Sequence, residues 1–364
     1  MNPSTEKPES GLTVKQRLGL ELYRSLRHDE VRQHTLQTLF WECTLRCNMR
    51  CRHCGSDCKQ DSLKPDMPAA DFLKVIDDIT PHVDPHHTFI IFTGGEALLR
   101  PDIEEVGLEL YRRGFPWGLV TNGYLLTSQR LEGLMAAGMH SITVSLDGFE
   151  AEHNWIRRHD HSFQRAEAAV KLLVAEDDLL WDIVTCVNPR SYARLDEFKN
   201  YLVALGVPRW RVFTIFPMGR AAGDPELQLT DAQFCGTLDF IERTRQEGRI
   251  EVSYACEGFL GPYERKVRNQ FFTCRAGVDV ASVLVDGSIS GCTSIRSNFS
   301  QGNIYRDSLW DVWQSRFQKY RDRSWARKGQ CKDCKVWRYC EGSGMHLYDE
   351  NENLLFCHYH RLGY

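Results

Sequence analysis

Residues 36–54 read LQTLFWECTLRCNMRCRHC. Positions 36–41 are rich in apolar and β-prone side chains and carry no turn signal, which predicts a β-strand. The strand runs into a loop with Cys47, Cys51 and Cys54 in a C-x3-C-x2-C spacing. Three thiolates on one loop can hold three corners of an iron–sulfur cube and leave the fourth iron without a protein ligand. Zinc is the competing occupant: it prefers four ligands in a closed tetrahedron, and His53 or Cys58 could supply the fourth. Cys43 and Cys58, on either side of the triplet, read as buried thiols.

Downstream, strand and helix patterns alternate. Strands are predicted at 88–92, 117–121, 141–146, 183–187 and 209–216. Helices are predicted at 69–80, 102–113, 127–137, 163–175 and 193–205. With the strand at 36–41, this alternation specifies a parallel sheet with crossover helices. The strands are near-continuous apolar runs, as expected when both faces are covered. Every strand ends in Gly, Asn, Asp, Pro or Cys, and in such folds the chemistry sits at the C-terminal strand ends. The fold class is α/β, a partial (β/α)6 TIM-like barrel. Periodicity alone does not separate it from an open flavodoxin-like sheet.

Around the barrel the chain divides into four segments. Residues 1–35 are an N-terminal helical extension, in which Val14, Leu18, Leu22 and Leu26 mark one face of an amphipathic packing helix. Residues 36–225 are the barrel. Residues 226–255 are a linker helix region with an N-cap at Thr230. Residues 256–364 form a small Cys-rich domain, with a strand signal at 281–285 and a helix near 308–318.

The chain has 364 residues, of which 42% are hydrophobic, enough to build a sizeable core. No run of about 18 apolar residues is present to span a membrane. Residues 1–11 are polar and lack an apolar stretch, so no secretory leader is expected. The 45 basic and 49 acidic side chains leave a net charge of -4 and no basic footprint for nucleic acid. A cytoplasmic protein is expected, and there the 14 cysteines call for a role other than disulfides. Clustered short spacings point to metal or cluster ligands. The later group contains Cys256, Cys274, Cys292, Cys331, Cys334, Cys340 and Cys357, followed by His358 and His360, which read as bystanders. Cys186 and Cys235 stand apart and read as small buried hydrophobes.

The segment from Trp41 through Cys54 resembles the signature of the radical S-adenosylmethionine (SAM) enzymes, and the resemblance extends from residue 36 to about 220. Thr93-Gly94-Gly95-Glu96 is similar to the family's GGEP motif, with Ala97 where proline is usual. The resemblance implies that this turn and acid hold the methionine amino group of SAM. It implies that Asn122, and Ser145 with Asp147, contact the ribose and carboxylate, and that Arg157 pairs with the carboxylate. A carboxylate needs an arginine or backbone donors, so the residue types suit these roles. Cys274, Cys292, the C-x2-C-x5-C run of Cys331, Cys334 and Cys340, and Cys357 resemble the SPASM domain of radical SAM peptide maturases. That resemblance implies one auxiliary [4Fe–4S] cluster on Cys331, Cys334, Cys340 and Cys357. It implies a second site on Cys274 and Cys292, with Cys256 as a third ligand. Gly344 stands where the family pattern has one more cysteine. A structural zinc on the four late cysteines is the alternative.

The implied activity is reductive cleavage of SAM to a 5′-deoxyadenosyl radical that abstracts hydrogen from a peptide or protein substrate, with an electron donor such as flavodoxin or ferredoxin. The cofactor carries that chemistry and the protein orients it. Segments 256–261 and 341–345 resemble a maturase subgroup associated with small lipoproteins. Two alternatives stay open: a small-molecule radical SAM enzyme of the tetrapyrrole or molybdopterin type, and a non-catalytic iron–sulfur or zinc protein. Sulfatase maturases carry an acid after the cysteine matching Cys292, where this chain has Thr293.

Overall fold

A computed structural model describes residues 11–255, 257–296 and 298–364. Seven strands pair in chain order, each parallel to the next: β1 (Thr38–Thr44), β2 (Phe89–Gly94), β3 (Trp117–Thr121), β4 (Met139–Ser145), β5 (Leu180–Val187), β6 (Arg209–Thr214) and β7 (Glu251–Tyr254). The six strands expected between residues 36 and 216 are all present, their ends shifted by up to three residues. The crossovers are α2 (Ala69–Ile79), α3 (Ile103–Arg112), α4 (Ser128–Ala136), α6 (Ser162–Val174), α8 (Leu195–Leu205) and α9 (Asp231–Glu247). The short α5 (Glu150–Arg157) and one-turn α7 (Pro189–Tyr192) lie just past β4 and β5 and were not expected from the sequence. Thr230 caps α9 in a capping box with Gln233, as expected.

Two structural outcomes correct the sequence-based picture of the segments. Region 226–255 is more than a linker helix, because β7 extends the parallel sheet beyond β6. The late segment also joins this sheet. Its β8 (Val280–Val283) pairs parallel with β1, in register Thr38↔Val280 through Trp41↔Val283. Then β9 (Ser288–Ser290) and β10 (Gly302–Asn303) follow antiparallel, so one ten-stranded sheet runs through both regions.

The helix side of the sheet is an aromatic core. Trp41 stacks on Phe72 of α2 at 4.3 Å and meets Phe92 edge-on at 5.4 Å, and Phe92 stacks on Trp117 at 5.2 Å. Such pairs add to the stabilisation from burial itself. Both faces were expected to be covered. Instead β5 and β6 alternate strictly between buried and half-exposed residues. The physical reason is geometric: an incomplete barrel does not bring opposite strands together to fill its inner face.

The α1 helix (Val14–Gln33) also departs from expectation. Val14, Leu18, Leu22 and Leu26 are 76, 63, 72 and 60% exposed, so the leucine stripe is not the packing face. The helix seats its opposite side on the Cys-rich region. Tyr23 packs on Phe271 at 5.5 Å, Arg27 pairs with Glu341 at 2.7 Å, and the Tyr339 hydroxyl donates to Glu21 at 2.8 Å. The packing face carries buried Leu20 with Tyr23 and Arg27, at i, i+3 and i+7, a second stripe that the longer leucine run obscured.

Candidate active site

The loop after β1 is held from several directions. Arg220, beyond β6, donates to the carbonyls of Cys51 (2.7 Å) and Cys58 (3.0 Å), and its amide donates to the Cys54 carbonyl at 3.1 Å. Arg52 forms a two-pronged pair with Asp224 at 2.7 and 2.9 Å and lies 4.1 Å over the Trp155 ring. The Cys47 amide donates to the Lys59 carbonyl at 3.1 Å. Within this frame Cys47, Met49, Cys51 and Cys58 form one apolar cluster, against which Cys54 packs. Cys58 donates toward Cys54 and holds that thiol below its ordinary value, against the opposing effect of burial. Cys43 is buried behind the loop and donates to the Thr93 carbonyl at 3.2 Å.

Three successive strand ends converge on the same loop. Gly94 and Gly95 run so close to it that a Cβ on either would collide with the carbonyl oxygen of Thr44 or Arg46. Glycine is what allows this approach. The Gly95 and Glu96 amides then donate to those two carbonyls at 2.7 and 2.9 Å. The Glu96 carboxylate is fully buried and accepts from the Thr121 hydroxyl (2.6 Å), the Asn122 amide (2.7 Å) and the Leu98 amide (3.2 Å). It therefore ties β2 to β3. Burial pushes its pKa up, against those donors. Asn122 donates through Nδ2 to Asn48 at 2.8 Å, with the Cys47 sulfur 4.0 Å away.

Past β4, Asp147 is fully buried and accepts from Arg157 Nε at 2.7 Å and from the Cys186 amide at 2.9 Å. Arg157 turns Nη1 toward the Cys51 sulfur at 3.8 Å. Burial would raise the Asp147 pKa, but Arg157, His53 and His153 outweigh it and hold it at about 2. His53 sits against this pair, and its donor atom lies within 4.8 Å of those of Asp147 and Cys186. Burial, then Arg157, pushes the His53 imidazole down to about 4. Ser145 lies on the half-exposed inner face of β4.

Sequence reasoning missed the polar groups of that inner face. Thr143, Asp182 and Arg211, from β4, β5 and β6, form one network, with Arg211 Nη2 at 3.0 Å from Asp182 and 2.9 Å from Thr143. Glu42 on β1 pairs with Arg296 at 2.6 Å. Near the end of β6, buried Glu257 accepts from the Thr214 amide (3.1 Å) and hydroxyl (2.6 Å) and from Tyr254. His358 bonds the Tyr254 hydroxyl at 3.0 Å and so belongs to this network. Asp182 and Arg211, polar residues inside otherwise apolar strand runs, were the sequence signal for this face.

The later cysteines form two neighbourhoods. Cys331, Cys334, Cys340 and Cys357 are mutual electrostatic neighbours. Burial first, then Cys357 and Cys334, pushes Cys331 up to about 11, and burial followed by Cys357, Cys331 and Cys334 raises Cys340. Val336, between these cysteines, is buried, and Cys334, Cys340 and Cys357 pack on its cluster. Cys274 accepts from the Met345 amide at 3.5 Å, and both Cys274 and Cys292 lie close enough to Tyr320 to raise its phenol, after burial itself. Cys256 lies outside the described residues. A Cβ on Gly344 would fall 2.6 Å from the His346 ring and 2.7 Å from the Glu257 carbonyl oxygen.

The radical SAM superfamily profile matches residues 41–202, and that of SPASM, an iron–sulfur cluster-binding domain, matches residues 274–335. The chain carries a radical SAM domain followed by a SPASM domain, and it is an enzyme. It is 27% identical over 329 residues to the AdoMet-dependent heme synthase of Methanosarcina barkeri, spanning 85% of this chain and 91% of that one. It is 28% identical over 316 residues to the mycofactocin maturase MftC of Mycobacterium tuberculosis, spanning 84% and 78%. In fold it is similar to anSMEcpe with bound AdoMet and a peptide, with a TM-score of 0.70, 19% identity and coverage of 89% of this chain and 93% of that one. It is likewise similar to Streptococcus suis SuiB bound to S-adenosylmethionine, with a TM-score of 0.68, 16% identity and coverage of 88% and 77%.

The cofactors of this enzyme are [4Fe–4S] clusters and SAM. The site suits them. Its thiol donors are the soft ligands iron–sulfur clusters take. Asn48 Nδ2 and His53 Nδ1, beside the three thiols, are buried without a hydrogen-bond partner among the described residues. Buried donors of this kind mark a polar occupant. Among the described residues, no helix is long and apolar enough to cross a membrane.

Proposed function

We propose that Cys47, Cys51 and Cys54 hold the catalytic cluster, and that Gly94, Gly95, Glu96, Asn122, Ser145, Asp147 and Arg157 form the SAM site. When bound, the two cofactors supply a one-electron reductive cleavage that yields a hydrogen-abstracting radical. The chain's own residues do the positioning. Arg220 fixes the loop carbonyls, and Arg157 holds a cation near the Cys51 sulfur, which favours its thiolate. Asp147 orients Arg157, and Glu96 locks the ends of β2 and β3. The backbone of Gly94 and Gly95, with the side chains of Asn122 and Ser145, is left to face SAM. In the later region, Cys331, Cys334, Cys340 and Cys357 hold one auxiliary cluster, and Cys274 and Cys292 belong to a second site with Cys256. The enzyme works in the cytoplasm with a one-electron donor of the flavodoxin or ferredoxin class.

The substrate is a peptide or protein. The observation that carries this is the state of the two cations at the inner face, since Arg211 and Arg296 are each neutralised by a carboxylate, Asp182 and Glu42. Among the described residues, a substrate bearing several carboxylates meets no uncommitted cation there, whereas peptide amides can hydrogen-bond to a polar, charge-balanced surface. The second reading, a tetrapyrrole substrate, is favoured by the similarity to AdoMet-dependent heme synthase over 85% of this chain.

The test is anaerobic reconstitution with iron and sulfide, followed by SAM and dithionite. Formation of 5′-deoxyadenosine that vanishes when Cys47, Cys51 and Cys54 become Ala, while iron persists in the later region, supports the assignment. Cleavage unchanged in that variant overturns it. Turnover of Fe-coproporphyrin in place of candidate peptides would decide for the second reading.

A further inference from the structure

One cavity, of about 310 Å³, opens beside the cysteine loop. Its lining includes Cys47, Asn48, Arg50, Lys59, Asp61 and Arg158. Of the cysteines assigned to the catalytic cluster, Cys47 alone lines it. The arginines around this loop are otherwise committed: Arg46 to Asp66, Arg52 to Asp224, Arg157 to Asp147 and Arg220 to Asp57. Arg50, Lys59 and Arg158 differ in forming no ion pair among the described residues. Two of them are held at the rim by backbone. Lys59 exchanges hydrogen bonds with Leu45 and Cys47, and Arg158 caps α5 in the left-handed conformation at φ 52, so it points away from its buried neighbour Arg157. Three uncommitted cations against one lining acid, Asp61, in a chain of net charge -4, make a local positive patch. Leu63 on the same loop is 95% exposed and adds an apolar contact.

We infer that this patch is the docking surface for an acidic one-electron carrier protein, which delivers its electron at the Cys47 edge of the site. The inference rests on Cys47 carrying the catalytic cluster. Charge complementarity of this kind steers encounter and sets register, and its effect falls as salt rises. Cys47 itself lines the cavity, so a carrier seated there comes within short electron-transfer reach. In the transfer the carrier is oxidised by one electron and the cluster reduced by one, with no bond made or broken. The inner face of the sheet stays free for substrate.

The experiment compares the anaerobic holoenzyme with the triple variant Arg50→Glu, Lys59→Glu, Arg158→Glu, using a bacterial flavodoxin as probe. Titration of oxidised flavodoxin at low and high salt reads binding without turnover. The expected result is affinity at least about tenfold weaker in the variant, with its salt dependence flattened. Electron transfer from reduced flavodoxin should slow in proportion. The electron-paramagnetic signal developed by dithionite and dithionite-driven SAM cleavage should match the parent, because a small reductant needs no docking surface. Equal flavodoxin affinity in both proteins overturns the inference. So does an equal loss with both reductants, which would assign the three cations to the cofactor site. Dithionite-driven cleavage that survives Cys47→Ala would instead overturn the cluster assignment beneath it.

Discussion

Arg157 donates to Asp147 across 2.7 Å in a fully buried ion pair at the point where β4 meets the cysteine loop. Because Asp147 also accepts from the Cys186 amide and Arg157 faces the Cys51 sulfur, one pair links β4, β5, α5 and the loop. Removing one partner of a buried pair leaves an uncompensated charge, which costs about 3–5 kcal/mol. Asp147→Ala should therefore destabilise the protein by that amount. The double variant Asp147→Ala, Arg157→Met should recover part of the loss, read from denaturant midpoints. A double variant no more stable than Asp147→Ala would mean that the pair's hydrogen bonds to the surroundings matter more than its charge.

Gly95 lies against the Arg46 carbonyl with no room for a side chain. Gly95→Ala should push β2 away from the loop just before Cys47, at a cost of about 1–3 kcal/mol. Iron content and thermal midpoint should fall together. Gly223→Ala, where a Cβ meets nothing within 4 Å, is the matched control and should change neither.

The strands from β1 to β6 were legible because each is a short apolar run bounded by turn residues, and the cysteine loop was legible from spacing alone. What escaped the sequence depends on partners far apart in the chain. Arg220 grips carbonyls more than 160 residues away, and β8 inserts beside β1 across about 240 residues. Neither contact leaves a local periodicity. Glu96, Asp147 and Arg157 could be singled out in the sequence as candidates, and the structure places them at neighbouring strand ends and the helix after β4. Their engagement with one another and with backbone amides was not, because hydrogen-bond partners are set by packing. The leucine stripe of α1 was legible as a stripe, but the orientation of the helix is fixed by Tyr23, Arg27 and Glu21 on other faces.

His153 gives a pH dependence with a definite sign. Its Nδ1 accepts from the Asp147 amide at 3.0 Å, and burial, opposed by Asp147 and reinforced by Arg157, pushes its pKa down to about 3. Between about pH 6.5 and 3 the unfolded chain binds a proton at this histidine that the folded protein does not. Stability is lost as pH falls through that window, by up to about 1.4 kcal/mol per pH unit. His153→Gln keeps an acceptor and removes the titration. The stability difference between parent and variant should therefore shift in the variant's favour from pH 7 to pH 4. A difference independent of pH would show that the imidazole does not stay neutral.

Arg220 should govern how long the first cluster survives rather than whether it forms. Its hydrogen bonds go to carbonyls of the cysteine loop and to Asp57, and not to a thiol. Arg220→Ala should accept iron anaerobically but lose it several-fold faster to a chelator, because the loop opens more often. Arg220→Lys cannot reproduce a planar, multi-donor clamp and should fall between the two. Chelator kinetics followed by the visible cluster absorption would reveal it, and equal release rates in all three proteins would rule out the clamp.

Gly344 offers the last test, because the space that a side chain would need there is filled. The His346 ring lies 2.6 Å from the position of a Cβ, and the Glu257 carbonyl oxygen lies 2.7 Å from it. That ring is braced in turn by Phe216, 4.7 Å away at 55°. Supplying a cysteine at this position should therefore not complete a ligand set. Gly344→Cys should cost about 1–3 kcal/mol through overpacking and add no iron. Removing the obstruction changes the outcome. In Gly344→Cys, His346→Ala the new thiol gains the volume the imidazole held, beside the amide that meets Cys274. The double variant should be more stable than Gly344→Cys alone and should bind iron at least as fully as the parent. Iron analysis with denaturant midpoints on all three proteins decides it. A single Gly344→Cys variant with unchanged stability and higher iron content would mean that His346 moves aside freely and does not define that side of the Cys274 site.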